Sequence, residues 1–206
     1  MATSARDPLG EPDCAAEEDW QTYVRNSVAT LALAKMGLAL TLDKLKPVYE
    51  HANESNNLWI GNGHPGEVGS NRLGWVPSLQ LPTLLAPDGP VERRLNEQWL
   101  VNLYTMWDER YRKEIAVQRG VEKDQVIVPP LGDFRRIRHD IIHCQGVATD
   151  KNSGKCEVFQ HWVEIGKPIA ITTEYVYELV DALHLLLTVV DGGDQATWGP
   201  GRPLLS

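Results

Sequence analysis

The most chemically loaded stretch of the chain is Arg138-His139-Asp140-Ile141-Ile142-His143. It sets a permanent cation, two imidazoles and a carboxylate within six residues. A guanidinium is planar, always charged and suited to gripping oxyanions such as phosphate. Histidine ordinarily titrates near neutral pH, so it can take or give a proton there. Arg135 and Arg136 stand just before the run, so three arginines fall within four residues. The chain as a whole carries a net charge of −8. That argues against broad electrostatic binding to nucleic acid, which relies on many Lys and Arg neutralising phosphates. It leaves room for a small basic site.

Other chemistries share these residues. His139 and His143 are four apart, as in the helix of zinc proteases, with Asp140 in the general-base position one methylene short of Glu. A zinc hydrolase would need a third ligand from His161, His184 or an acid. The His139-Asp140 pair also suits a phosphohydrolase with a His-Asp centre, whose further histidine would have to be His64 or His51. The plain alternative needs no chemistry. His143 near a helix C-terminus is favoured by the helix dipole, and Arg138 would pair with Asp140, Glu109 or Asp108. The glycines of Gly61-Asn62-Gly63 lack the flanking pattern of a phosphate-binding loop. Cys14, Cys144 and Cys156 are far apart and odd in number, which argues against a disulfide framework or a thiolate zinc site. Cys144 reads as a small packing residue, His161 as a solvent-facing strand residue and His184 as a core or rim histidine.

The elements that must position the run follow from periodicity. Residues 1–18 are small and acidic and read as a tail. Trp20, Val24, Leu31, Leu38, Leu42 and Leu45 recur at helical spacing and predict a helix over 20–46. Residues 53–90 are rich in Gly and Pro and read as a long irregular insertion packed on the helices. A second long helix runs from Val91 to a cap at Gly120. Its apolar stripe splits into two drifts, one through Leu95, Trp99 and Leu103, the other through Leu100, Tyr104, Trp107, Tyr111 and Ile115. Pro129-Pro130 delays the third helix to about 134–145, with Asp133 as its cap. At about 100° per residue, Phe134, Ile137, Ile141 and Cys144 form its buried stripe. Arg138 borders that stripe, and His139, His143 and Arg136 face away. Residues 155–171 read as a β-hairpin turning at Gly166-Lys167. A last helix covers 173–190, with Tyr175, Leu179, Ala182, Leu183, Leu186 and Val190 inward, and 191–206 is a second tail. No apolar run approaches the roughly 18–20 residues of a membrane helix, and the N-terminus has no signal-peptide core. A cytoplasmic protein without a membrane partner is expected.

Set on a short helix after a long one and before a final one, the run resembles the HEPN superfamily. That superfamily is marked by Arg, a polar residue, a short variable stretch and His. Here Arg138 and His143 are the ends, with His139 in the polar position. The preceding segment Leu103 to Arg112 is similar to the aromatic and arginine-bearing helix before that motif. The resemblance covers roughly Val91 to Val190. It implies a mainly α fold, a HEPN-like helical bundle occupying 19–190 as one domain. It also implies a metal-independent endoribonuclease that works as a homodimer on single-stranded RNA, with no cofactor and no metal. Arg138 would bind the scissile phosphate, His143 would act as general base or acid, and His139 would orient the pair. Arg135, Arg136 and Asp140 would contact substrate. Arg138 and His143 sit about 140° apart on a regular helix, so a two-fold copy would complete the site. The setting implied is bacterial defence or a toxin with an antitoxin or defence partner. Some members are non-catalytic binding or dimerisation modules, which is the alternative function. Toxin members are sometimes silenced at a Tyr soon after the motif His; Cys144-Gln145-Gly146 offers none.

Overall fold

In a computed structural model, residues 14–63 and 67–185 are described. They are mainly helical, with one two-stranded antiparallel sheet. Among them, no helix is long and apolar enough to cross a membrane. The chain divides into two compact units, and α1 (Ala15–Lys44), α4 (Pro90–Met106) and α7 (Thr173–Leu185) each contribute residues to both.

The first unit comprises the described residues of 1–25, 100–169 and 177–206. It holds the start of α1, the end of α4, a π-turn at Trp107–Tyr111, α5 (Arg112–Arg119), α6 (Pro129–His143) and most of α7. The π-turn explains the two drifts of the apolar stripe. The wider turn adds a residue to the helical winding, and it leaves both Trp107 and Tyr111 buried. Both pack at a tilt against Trp20 of α1, at ring-centroid distances of 5.1 and 5.3 Å. Gly120 ends α5 in the left-handed conformation, φ 68°, where only glycine is free of Cβ strain. Beneath α6 lie Leu131, Phe134 and Ile137, with Phe134 against Phe159 and Trp162.

Several boundaries differ from the periodic reading. α1 begins at Ala15, inside the expected tail. α6 begins at Pro129, because proline in a first helical turn lacks only an N–H that would have no helical partner there. Asp133 is therefore interior to α6, not its cap. The expected hairpin at 155–171 is absent: the segment holds 3-10 turns at Ser153–Lys155 and Gln160–Trp162, and Val147 bridges Pro168. The cause is Asp133, whose carboxylate accepts the amides of Glu157, Val158 and Phe159 at 2.7–3.1 Å. Amides bound to a carboxylate are lost to a strand ladder. The 186–190 end of the last expected helix, and both terminal tails apart from 14–18, lie outside the described residues.

The second unit comprises the described residues of 26–99 and 170–176. Its insertion is more ordered than expected. It contains α2 (Lys46–Glu50), β1 (Asn57–Asn62), β2 (Asn71–Pro77) and α3 (Leu81–Leu84). β1 and β2 pair with Trp59 opposite Trp75 and Leu58 opposite Val76. Glycine content hid these strands, yet aromatic and branched cross-strand pairs stabilise such a hairpin. Elsewhere in this unit Lys35, Glu92 and Thr173 form a polar knot, and Asp88 accepts the Thr173 N–H.

Candidate functional site: the outer face of α6

Winding α6 at helical pitch places Arg138, Ile142, Arg135, His139 and His143 on one arc of about 140°. Ile142, His143, His139 and Arg135 are exposed, and Arg138 is half-buried at the edge. The opposite side is the core stripe of Phe134, Ile137 and Ile141. Cys144, expected on that stripe, is half-buried. Burial and the neighbouring Asp140 charge push its thiol pKa up, which suits packing and not nucleophilic attack.

The two imidazoles sit one turn apart, with ring centroids 4.8 Å from one another and planes tilted by 50°. Arg138 behaves as the spacing predicts for a cation bordering an apolar stripe. Its guanidinium carbon is 5.6 Å from the centroid of the Tyr104 ring. Its Nε is buried without a hydrogen-bond partner among the described residues. The three acids that the sequence offers as its partners do not neutralise it. Asp108 binds Arg112 and Lys123 at 3.3 and 3.0 Å, Asp140 is engaged elsewhere, and no ion pair joins Glu109 to Arg138. Tyr104 feels this cluster: burial and Asp108 raise its phenol pKa, while Arg135, Arg112 and Arg138 oppose the rise. Arg135 likewise has no carboxylate partner among the described residues. Arg136 does, at 2.9 Å from Asp133, so it braces the 157–159 turn and is not free for a ligand.

Asp140 is the main correction. The sequence reading sets it among substrate contacts, but it is fully buried. Its carboxylate accepts the Thr149 and Ser153 amides, both their hydroxyls and the Asn152 side chain, at 2.7–3.1 Å. Burial works against the charge, yet those hydrogen bonds outweigh it and hold the pKa well below the usual carboxylate range. Asp140 thus pins the 149–153 loop beside the histidines. Sequence reasoning missed Thr149, Asn152 and Ser153. Their signal was present as a run of small polar residues nine to thirteen positions after an acid, but such a run reads as any turn.

A metal reading meets poor ligands. His139, Asp140 and Cys144 bring donor atoms within 4.8 Å of one another. Both Asp140 oxygens are already filled by hydrogen-bond donors. His161 is held at 2.9 Å by Glu178, and the His184 side chain lies outside the described residues. For a His-Asp centre, His51 hydrogen-bonds Pro47 of its own helix at 3.1 Å, and His64 is not described. A cavity of about 350 Å³ lies in the second unit. Its two lysines are already paired, Lys35 with Glu92 at 3.0 Å and Lys46 with Glu50 at 3.7 Å, so it lacks the unmatched charge found on α6.

No protein-family model, curated protein or solved structure matches this chain.

Proposed function

We propose that the chain is a metal-independent endoribonuclease of HEPN type, acting as a homodimer on single-stranded RNA through the outer face of α6. One observation carries this reading. Two guanidinium groups without a carboxylate partner among the described residues, Arg135 and Arg138, flank two exposed imidazoles, His139 and His143. Arg138, half-buried without an acid, calls for an anion, and neighbouring imidazoles move protons.

The reaction that fits needs no water in its first step. One histidine removes the proton from the ribose 2′-hydroxyl, whose oxygen attacks phosphorus. The bond from phosphorus to the 5′ oxygen breaks, and the imidazolium formed in the first step gives its proton to that leaving oxygen. The products are a 2′,3′-cyclic phosphate and a 5′-hydroxyl. Arg138, with Arg135, stabilises the charge that builds on the phosphoryl oxygens. Because Arg138 and His143 bound an arc of about 140°, one phosphate is best spanned by Arg138 of one subunit and His143 of the other. Exposed Ile142, between Arg138 and Arg135 on the arc, suits the two-fold contact. We place the activity in the cytoplasm, in a defence or toxin setting with a restraining partner.

The test is cleavage of mixed RNA with analysis of product ends. His143→Ala should abolish cleavage. Arg138→Lys should be severely impaired, because lysine keeps the charge but loses the two-pronged grip. Absence of cleavage by the unmodified chain over a range of salt and pH, or undiminished cleavage by His143→Ala, sinks the proposal. The non-catalytic binding module then takes its place. It has its own support in the β1–β2 hairpin, which exposes Leu73, Trp75, Ile60 and Trp59.

A further inference from the structure

We propose that Asn152 is a positioning residue that fixes His139 in the tautomer carrying its proton on Nε2. Asp140 fixes which way the Asn152 amide points. An ionised carboxylate only accepts hydrogen bonds. The Asn152 side-chain atom 2.7 Å from Asp140 Oδ1 must therefore be the amide nitrogen, not the oxygen. The same nitrogen lies 3.0 Å from His139 Nδ1 and 3.1 Å from the Thr149 hydroxyl. An amide nitrogen presents only hydrogens, so a proton on His139 Nδ1 would set two donors against each other at 3.0 Å. Nδ1 must offer its lone pair. A neutral imidazole has one donor and one acceptor nitrogen, so the proton is on Nε2. Asp140 is itself 3.9 Å from His139 Nδ1, beyond hydrogen-bond reach, and Asn152 bonds to both. The chain of command runs from Asp140 through Asn152 to His139.

Two consequences follow. The half-exposed ring keeps Nε2–H as its unengaged edge, a ready donor to a phosphoryl or leaving oxygen. A neutral Nε2–H gives a hydrogen bond and not its proton, so His139 stabilises charge on a phosphoryl oxygen while His143 carries the proton transfer, and this use of the donor rests on the ribonuclease reading. The tautomer does not rest on it. The same hydrogen bond disfavours a metal on His139, because the Nδ1 lone pair, 3.9 Å from Asp140, is already taken by the Asn152 amide. A ring that ligates through Nε2 carries its proton on Nδ1 and gives it to a carboxylate, carbonyl or water. Here Nδ1 would meet the Asn152 amide hydrogens instead.

The experiment is nitrogen-15 NMR of the uniformly labelled full chain, at a pH where the rings are neutral. The free imidazole already prefers Nε2–H, so the decisive readings are the completeness of that preference and its dependence on Asn152. His139 should show a single Nε2–H form and a coupling across the hydrogen bond between Asn152 Nδ2 and His139 Nδ1. The His143 ring serves as comparator in the same spectrum. Asn152→Ala should return His139 to a mixture of tautomers. It should also lower the RNA cleavage rate about tenfold with little change in KM, since the lost interaction acts in the transition state. An Nδ1–H form, or a mixture that Asn152→Ala leaves unchanged, overturns the proposal. If Asn152→Ala does not fold, the presence or absence of the coupling in the unmodified chain decides it. A chain that shows the coupling but cleaves no RNA would remove the ribonuclease reading and leave the tautomer standing.

Discussion

The two sides of α6 treat charge in opposite ways. On the inner side, Asp133 and Asp140 sit seven residues apart, both buried, and the later backbone amides they bind hold down the chain that follows: 157–159 for one, 149–153 for the other. On the outer side, Arg135 and Arg138 have no carboxylate at all among the described residues, and His139 and His143 stand exposed beside them. Charge matched inside the subunit is structure. Charge left unmatched at a surface, beside groups that move protons, is where a ligand completes the electrostatics. Variants on the two sides should therefore fail in different ways.

The largest effect is expected from Asp140→Ala. It strands the Thr149 and Ser153 donors, and each buried donor without a partner costs about 1–3 kcal/mol. A loss of about 3 kcal/mol or more in chemical denaturation is the expected outcome. The same residue sets an acid limb. Its native pKa is depressed, so the unfolded chain takes up the proton first. The stabilisation is complete above the ordinary carboxylate pKa of about 4 and drains away as pH falls below it. Asp140→Asn should flatten that part of the stability-pH curve. An unchanged curve would mean that the loop is held by something else.

Asp133→Ala should come next, at about 2–3 kcal/mol, because three amides and Arg136 lose one acceptor. A smaller loss than for Arg138→Met would invert the contrast between the faces. Arg138→Met keeps the volume and loses only the cation over the Tyr104 ring, about 0.5–1 kcal/mol. His143→Ala should stay within about 0.5 kcal/mol of the unmodified chain, as surface substitutions do. Destabilisation by His143→Ala beyond that would place this histidine among the structural groups.

How far this was legible differs by element. The long helices show in the spacing of Trp20, Val24 and Leu31, and of Leu100, Tyr104 and Tyr111, because burial on one side of a helix writes a period into the sequence. The buried stripe of α6 was readable for the same reason, and so was the position of Arg138 at its border. The roles of Asp133 and Asp140 were not. Each acts on backbone amides 9 to 26 residues away, and a carboxylate that binds amides leaves no period and no motif. Asp133 reads as a helix cap until the fold shows Pro129 opening the helix. The 155–171 segment reads as strand because its residue types are strand formers, and the acid that captures its amides lies outside it. The β1–β2 pair was missed for the opposite reason: Gly61 and Gly74 interrupt strands whose pairing is decided by Trp59 and Trp75 across the ladder.

The composite site across two subunits is tested most directly by mixing two inactive proteins. Arg138→Ala and His143→Ala are each expected to cleave no RNA. Unfolded and refolded together, half of the dimers formed are mixed. Each mixed dimer holds one intact pair, so about a quarter of the unmodified cleavage rate should return. Cleavage that stays at the level of the separate variants, in a mixture shown to form mixed dimers, would contradict the account.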